Sequence, residues 1–175
     1  MPFHKAIMMI GSGANGKSTV LRLLKSFLGE TDCSAVSLQD LCKNRFAAAQ
    51  LYHKLANICA DLPSDGIENS GKFKTLTGDD FVNAEFKFQK AFCFENYAKL
   101  AFSANQIPKT QDDTIAYFRR WIIAAFNQVF LGKNCDPTII KKLTTEKELS
   151  GLLNLTLEGL NRILLNGGFQ RQRNY

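Results

Sequence analysis

The fold of this chain is decided by Gly11-Ser12-Gly13-Ala14-Asn15-Gly16-Lys17-Ser18, which spells a phosphate-binding P-loop. The apolar run 6–10 before it has the composition of a strand, and the run 19–28 after it has the pattern of a helix. A strand, a glycine-rich loop and a helix in this order are the context in which the motif binds phosphate. The glycines let backbone N–H groups turn toward phosphate oxygens, and the helix N-terminus adds a partial positive charge.

The end of this loop supplies the two side chains with the clearest chemistry. Lys17 is expected to reach the β- and γ-phosphates of a nucleotide, and the Ser18 hydroxyl is expected to bind Mg²⁺. The alternative is a glycine-rich turn that ends in Lys-Ser by chance, and both flanking segments argue against it. The sequence therefore predicts a nucleotide cradle made of Gly11, Ser12, Gly13, Ala14, Asn15, Gly16, Lys17, Ser18 and Thr19.

The composition is that of an ordinary globular domain, with 175 residues, 45% hydrophobic and 22% charged. No apolar run approaches the roughly 20 residues that span a bilayer, and no signal-peptide pattern opens the chain, so an intracellular protein without a membrane segment is expected. The net charge of +6 favours a polyanionic partner or serves solubility alone. The five cysteines lack metal-binding spacing and are expected to be reduced thiols: Cys33, Cys42, Cys59, Cys93 and Cys135.

Short apolar runs alternate with helical and polar segments up to about residue 130, and this alternation predicts an α/β fold with a mainly parallel sheet. The candidate strands are 6–10, 34–38, 55–60, 98–104 and 121–126. From about residue 137 the pattern is helical, with a capping box from Thr145 to Glu148, a leucine stripe expected to be core, and Gly167-Gly168 at the end. We therefore expect a core at 1–130 and a helical segment at 131–175 that packs on it, with a tail at 171–173 that frays or continues into further sequence.

An insertion at about 81–95 alternates apolar and polar residues from Val82 to Gln89, which predicts a β-hairpin with a turn near Gln89-Lys90. The alternation places four phenylalanines on one face. Packing of that face against the domain is favoured over contact with nucleic-acid bases, because half-buried hairpins usually pack in this way. The four residues are Phe86, Phe88, Phe92 and Phe94.

Polar residues at strand ends extend the predicted site. Asp61 follows the run 55–60 and is a candidate for holding Mg²⁺ or activating water, or it caps the next segment. Asn105 follows the run 98–104 and either contacts the γ-phosphate or forms a turn. Arg119 and Arg120 precede the last strand and either form an arginine finger or are solvated, or pair with acids at 112 and 113.

Taken in order, these segments resemble a known family. They are the P-loop with Thr19, the strand into Asp61, the segment 74–79, the run 101–105 with Pro108, and Arg119-Arg120. The ordered set resembles the superfamily-3 helicase domain, in the branch found in phage, plasmid and poxvirus-type primase–helicases. The segments 149–154 and 157–160 are similar to the C-terminal helices of that branch, so the resemblance covers nearly the whole chain.

The resemblance implies a P-loop NTPase fold of the AAA+ type, with a five-stranded sheet flanked by helices, a hairpin insertion and C-terminal helices. It implies a homo-hexameric ring with ATP between subunits, which moves along single-stranded DNA. Lys17, Ser18 and Asp61 would bind ATP and Mg²⁺, and Asn105 would be the sensor. Partners would include a primase domain or other replication proteins.

Two further roles follow from the same resemblance. Arg120, in preference to Arg119, would reach the nucleotide of the neighbouring subunit. The hairpin would line the central channel, with Lys87 or Lys90 on the DNA backbone, since phosphates carry charge without sequence information.

Two departures from the family pattern matter. The family commonly has two acids after the third strand, whereas here Ala60 precedes Asp61. A helical domain normally precedes the P-loop and does not fit before Ala6, so the chain is expected to be excised from a longer primase–helicase. Two alternatives stay open, namely a nucleotide-binding assembly module with little turnover and a small P-loop kinase.

Overall fold

The P-loop lies between a strand and a helix, as its flanking residues predict. The computed structural model describes residues 2–63 and 65–169. Its strands are β1 (Ala6–Ile10), β2 (Cys33–Ser34), β3 (Ala56–Cys59), β4 (Phe81–Ala84), β5 (Phe92–Glu95), β6 (Lys99–Ala104) and β7 (Trp121–Ala125). Its helices are α1 (Lys17–Leu28), α2 (Leu38–Lys43), α3 (Ser70–Thr77), α4 (Ile115–Phe118), α5 (Ile139–Leu143) and α6 (Glu146–Leu165).

Five strands form one parallel sheet in the order β2-β3-β6-β1-β7, which confirms the predicted sheet. All five carboxyl ends therefore lie at the same edge. In β1, Ile10 pairs with Ala104 of β6 and with Ala125 of β7. The P-loop consequently begins at the carboxyl edge, directly beside the ends of two other strands, where ligands of open α/β sheets bind.

The second strand is shorter than the predicted run 34–38, because side chains end it early. Ser37 caps α2, since its hydroxyl accepts the N–H of Asp40 at 3.0 Å. The Asn57 side chain on β3 then replaces the strand ladder: its Nδ2 donates to the Val36 carbonyl at 2.9 Å, and its Oδ1 accepts the Val36 N–H at 2.8 Å. The predicted strand 34–38 therefore ends in the first residue of α2, a helix that the sequence pattern did not predict.

Helices cover both faces of the sheet and bury two apolar clusters. In the larger cluster Phe73 of α3 is fully buried, and its ring stacks on Trp121 of β7 with centroids 4.5 Å apart. In the smaller cluster Leu21 of α1 packs with Met9 of β1 and Ile58 of β3. The packing of α1 on the sheet holds the P-loop in place.

The predicted hairpin is present as the antiparallel pair β4 and β5. Its base packs inward, and the ring of Tyr52 lies 5.0 Å from that of Phe92 and 5.4 Å from that of Phe94 between centroids. The strands are shorter than the alternating run Val82–Gln89, because the chain already turns at 87–88. The turn therefore lies two residues before the predicted position near Gln89-Lys90.

The chain divides into two compact units, 1–135 and 136–175. The second contains α5 and α6, and the Glu148 N–H donates to the Thr145 hydroxyl at 3.4 Å, which confirms the predicted cap. Gly167 has a φ of 67°, as the predicted helix end requires. No residue of α6 is buried, so the leucine stripe expected to be core is not buried. The predicted tail at 171–173 lies outside the described residues.

Candidate nucleotide site

The P-loop backbone has the curled conformation that the motif requires. Gly13, Ala14 and Gly16 have φ angles of 122°, 46° and 87°, all in the left-handed region. Helix α1 begins at the next residue, and Gly16 at its N-cap supplies no side-chain cap. Because no side chain caps them, the first amides of the helix are free to take an anion.

Lys17 is 4% exposed and has only neutral partners. Its Nζ donates to the Gly11 carbonyl and, at 3.1 Å, to Oδ1 of Asn15. Within residues 2–63 and 65–169 no carboxylate forms an ion pair with Lys17. A buried ammonium is usually paired, so this side chain fits a site that receives a polyanion such as a triphosphate.

Asp61 and Asn105 lie at the same edge as the P-loop. Asn105 directly follows Ala104, whose carbonyl accepts the Gly11 N–H at 3.3 Å. The Asp61 N–H donates to the Ser103 hydroxyl at 3.2 Å, and both the Asp61 and Asn105 side chains are exposed. Strand β6 separates β3 from β1, so Asp61 lies about 10 Å across the sheet from the P-loop strand. That gap would accommodate phosphates and a hydrated cation.

The oxygen donors at this edge suit magnesium. Ser18 is exposed on the first turn of α1, and Asp61 has a φ of 50°, which is uncommon for a residue other than glycine. The described part of the chain has no group of three or more His, Cys, Asp or Glu side chains that would hold a metal. Magnesium fits such a sparse set, because it usually keeps several waters and binds one or two protein oxygens together with substrate phosphates.

The paired arginines lie at the opposite edge of the sheet. The Arg120 carbonyl accepts the N–H of Ala6 at 2.8 Å, at the amino end of β1. Five residues of β7 separate this edge from the P-loop edge, which is about 17 Å of extended chain. Neither guanidinium can therefore serve the P-loop of its own chain.

Only one of the two arginines presents its side chain to solvent. Arg120 is 8% exposed, its Nε donates to the Thr77 hydroxyl at 3.0 Å, and a terminal nitrogen donates to the Ala116 carbonyl. Burial, and then the neighbouring Arg119, lower the pKa of Arg120. Arg119 is exposed and, with His4 and Lys5, lines a surface cavity of about 270 Å³. Arg119 is therefore accessible at the surface, whereas Arg120, which the sequence pattern preferred, is buried.

A polar cluster that the sequence pattern missed holds the start of helix α4, which directly precedes the two arginines. Asp112 accepts from the Ser70 hydroxyl, from the Thr114 N–H at 3.0 Å and from the Lys74 ammonium at 2.9 Å. Hydrogen bonds from Ser70, Thr114 and Lys74 hold the pKa of Asp112 well below its usual range. Asp112 therefore pairs with Lys74. The alternative prediction that Arg119 or Arg120 pairs with Asp112 is wrong.

The tip of the hairpin carries the predicted DNA-contacting residues. Lys87 and Lys90 are exposed, and the Lys87 ammonium lies 5.0 Å from the ring centroid of Phe88. Phe88 is 93% exposed with a φ of 66°, which rotates its side chain out of the strand alternation. The expectation that all four phenylalanines pack inward is therefore wrong for Phe88. Among the others Phe94 is buried, Phe92 is partly buried, and Phe86 stacks on Phe92.

Comparisons with known proteins agree with this architecture. A model of the family of unknown function DUF5906 matches residues 9–120, which is more than half of the chain. The protein named "Putative helicase L207/L206" of Acanthamoeba polyphaga mimivirus is 29% identical over 146 residues. The aligned part is 79% of this chain and 15% of the mimivirus protein, so the chain spans about a seventh of that relative.

Solved structures give the same fold. The C-terminal region of NrS-1 superposes with a TM-score of 0.66 at 20% identity, covering 84% of this chain and 36% of that chain. A crystal structure of JCV helicase with a bound acetamide compound gives a TM-score of 0.55 at 18% identity, covering 86% of this chain and 45% of that chain. Across the described residues, every helix is too short or too polar to cross a lipid bilayer. The predicted resemblance to the superfamily-3 helicase domain is thus confirmed at the level of the fold, and the chain belongs to the family of unknown function DUF5906.

Proposed function

We propose that this chain is the ATP-dependent DNA helicase or translocase domain of a viral, phage or plasmid replication protein. The observation that carries the proposal is the buried Lys17, which has no carboxylate partner among the described residues and lies in a P-loop next to Asn105. The mimivirus relative is named a helicase, and the fold is that of helicase domains, which supports the same function.

Within one subunit, four side chains would act on the nucleotide. Lys17 would neutralise the β- and γ-phosphates of ATP, and Ser18 would bind the Mg²⁺ that accompanies them. Asp61 would hold that ion through water and orient the attacking water, while the Asn105 amide would contact the γ-phosphate. The bound magnesium would supply charge neutralisation to the transferring phosphoryl group.

A neighbouring subunit would complete the site. Because the arginines lie at the edge opposite to the P-loop, Arg119 would reach a nucleotide only from another copy of the chain. This arrangement requires a closed ring or a filament, and we propose a homo-hexameric ring. We further propose residues 1–130 as the ATPase core and 131–175 as the C-terminal helical segment.

DNA would contact the tip of the hairpin. Lys87 and Lys90 would neutralise backbone phosphates, which is a sequence-independent contact suited to movement along a strand. Phe88 offers an exposed ring beside Lys87, and such a ring stacks on any base without sequence preference. A primase domain or another replication protein is the expected partner of the same polypeptide or complex.

The steady-state ATPase rate tests the proposal when it is measured over a range of protein concentrations, with and without single-stranded DNA. We expect the rate per subunit to rise with both, because the sites are shared between subunits and DNA engages the ring. Lys17→Ala provides the inactive control. A measurable rate that is independent of concentration and of DNA would contradict the helicase proposal.

One observation favours a second function. Ala60 stands before Asp61, so a single carboxylate follows β3 where the family commonly has two acids. A nucleotide-binding assembly module would bind MgATP tightly and turn it over negligibly, with or without DNA. The same assay, combined with a nucleotide-binding measurement, separates the two functions.

A further inference from the structure

The segment after β7 forms a strap, residues 126–131, that contacts the P-loop and has no role in the motif. Three hydrogen bonds fasten it. The Phe126 N–H donates to the Ile10 carbonyl at 2.7 Å, the Asn15 amide donates to the Phe126 carbonyl at 3.1 Å, and the Phe130 N–H donates to the Ala14 carbonyl at 2.7 Å. The strap is therefore held in a fixed position beside the phosphate cradle.

The strap exposes apolar side chains next to a polar site. Val129, Phe130 and Leu131 are 49%, 45% and 67% exposed. The Phe130 ring lies against the loop itself, since a Cβ added to Gly16 would be 3.9 Å from its Cε2 atom. No other aromatic ring of the described residues packs on it. A large apolar surface with no partner ring is thus presented at the mouth of the cradle.

We propose that Phe130 forms the base subsite of the nucleotide site and stacks on the adenine ring of ATP. This inference rests on the proposed nucleotide binding and assigns its base-recognition side. The P-loop amides and Lys17 would contact only phosphates, so the base needs a separate apolar surface within reach of the cradle. Aromatic side chains supply that surface, because the flat faces of a purine and a phenyl ring stack favourably.

Asn15 connects the two halves of this site. It is 5% exposed, and its Oδ1 accepts from Lys17 while its Nδ2 donates to the strap carbonyl of Phe126. The phosphate-binding lysine and the base-binding strap are therefore positioned by the same buried amide. Asn15 is a positioning residue, since it would act on the nucleotide through Lys17 and Phe130.

Calorimetric titration of the 175-residue chain with MgATP and with Mg-tripolyphosphate tests the subsite. Tripolyphosphate carries the phosphates without the base, so it reports the cradle alone. We expect Phe130→Ala to weaken MgATP binding about tenfold, as loss of one stacking contact predicts, and to leave tripolyphosphate binding unchanged. Phe81→Ala is the matched control, because Phe81 is a phenylalanine 73% exposed on the hairpin strand β4.

The conservative variant Phe130→Trp adds a positive readout. It should bind MgATP with wild-type affinity, and its fluorescence should change with MgATP but not with tripolyphosphate, after subtraction of the Trp121 signal measured in the wild type. Equal MgATP affinity in Phe130→Ala and wild type would overturn the subsite alone. Failure of the wild-type chain to bind MgATP would instead contradict the proposed nucleotide function, and the subsite with it.

Discussion

Gly11 is the residue of the P-loop that has no room for a side chain. A Cβ at this position would lie 2.5 Å from the Phe126 carbonyl oxygen and 2.1 Å from the Asn15 amide nitrogen. The first contact is with backbone, which cannot rotate away as a side chain can. The glycine is therefore required by the close approach of the strap to the loop.

We predict that Gly11→Ala reduces MgATP affinity at least tenfold, because the loop and strap must separate to admit the methyl group. Gly151→Ala is the control, since nothing lies within 4 Å of a Cβ there and alanine favours a helix by about 1 kcal/mol. Thermal unfolding and calorimetric titration of both variants check the prediction. Wild-type affinity in Gly11→Ala would show that the strap does not constrain the loop.

Cys42 illustrates how burial changes a titrating group. Cys42 is 4% exposed, and desolvation of its thiol raises the pKa from an ordinary value near 9 to about 11. Cys93 and Cys135 are exposed. We predict that a thiol reagent at pH 8 modifies Cys93 and Cys135 quickly and Cys42 only after unfolding. Mass spectrometry of the labelled peptides checks this order, and rapid labelling of Cys42 in the native chain would contradict it.

The sign of the accompanying pH effect follows from the direction of the shift. The folded state keeps the Cys42 proton that the unfolded state loses near pH 9, so the stabilising contribution is complete below that pH. It is lost as the pH rises toward 11. We expect Cys42→Ala to show a smaller fall in stability between pH 9 and 11 than the wild type.

Within the hairpin, the base packs on the rest of the protein and the tip is exposed. Phe92 and Phe94 hold its base on Tyr52, while the left-handed φ of Phe88 turns that ring to solvent beside Lys87. A left-handed residue with a bulky side chain costs roughly 1–2 kcal/mol. The strain is confined to the exposed tip, which agrees with a functional use of this turn.

We predict that Lys87→Ala and Phe88→Ala both weaken binding to single-stranded DNA but differ in salt dependence. Loss of one phosphate contact should flatten the slope of log K against log salt by about 0.7, whereas loss of a stacking ring should leave the slope unchanged. Phe81→Ala again serves as the control. Equal slopes in Lys87→Ala and wild type would exclude a phosphate contact by Lys87.

Across the whole protein, the parallel sheet places the proposed functional residues at two opposite edges. Lys17, Asp61 and Asn105 follow carboxyl ends, while Arg119 precedes an amino end. In the proposed arrangement, a complete site would therefore combine residues of two subunits. Burial distinguishes the two arginines further, because Arg120 is held by Thr77 inside the fold and Arg119 is exposed.

We predict that Arg119→Ala abolishes ATP turnover without changing the melting temperature, and that Arg120→Ala lowers stability by about 1–3 kcal/mol, because it removes a partner from buried Thr77. Mixing inactive Lys17→Ala with inactive Arg119→Ala should restore part of the turnover, since some interfaces then combine an intact P-loop with an intact arginine. Denaturant unfolding and ATPase assays measure these effects. No recovery on mixing, with both variants folded, would exclude Arg119 as a finger acting between subunits.

The local order of residues is enough to predict the features that depend on neighbouring residues. The P-loop, the strands at its flanks, the hairpin and the Thr145 cap all follow from glycine placement, hydrophobic period and capping chemistry, which act within a few residues. The five-stranded parallel sheet followed from the alternation of these elements.

Other features depend on contacts between residues far apart in the chain, and these are set by the way the segments pack. Asn57 shortens β2 by hydrogen bonding to Val36, and Asp112 anchors α4 through Ser70 and Lys74. The buried Arg120 side chain donates a hydrogen bond to Thr77. The strap at 126–131 contacts the P-loop, which lies more than a hundred residues away in the chain. Such contacts leave no periodic signal, because side-chain hydrogen bonds between distant segments depend on how the segments pack and not on the local order of residues.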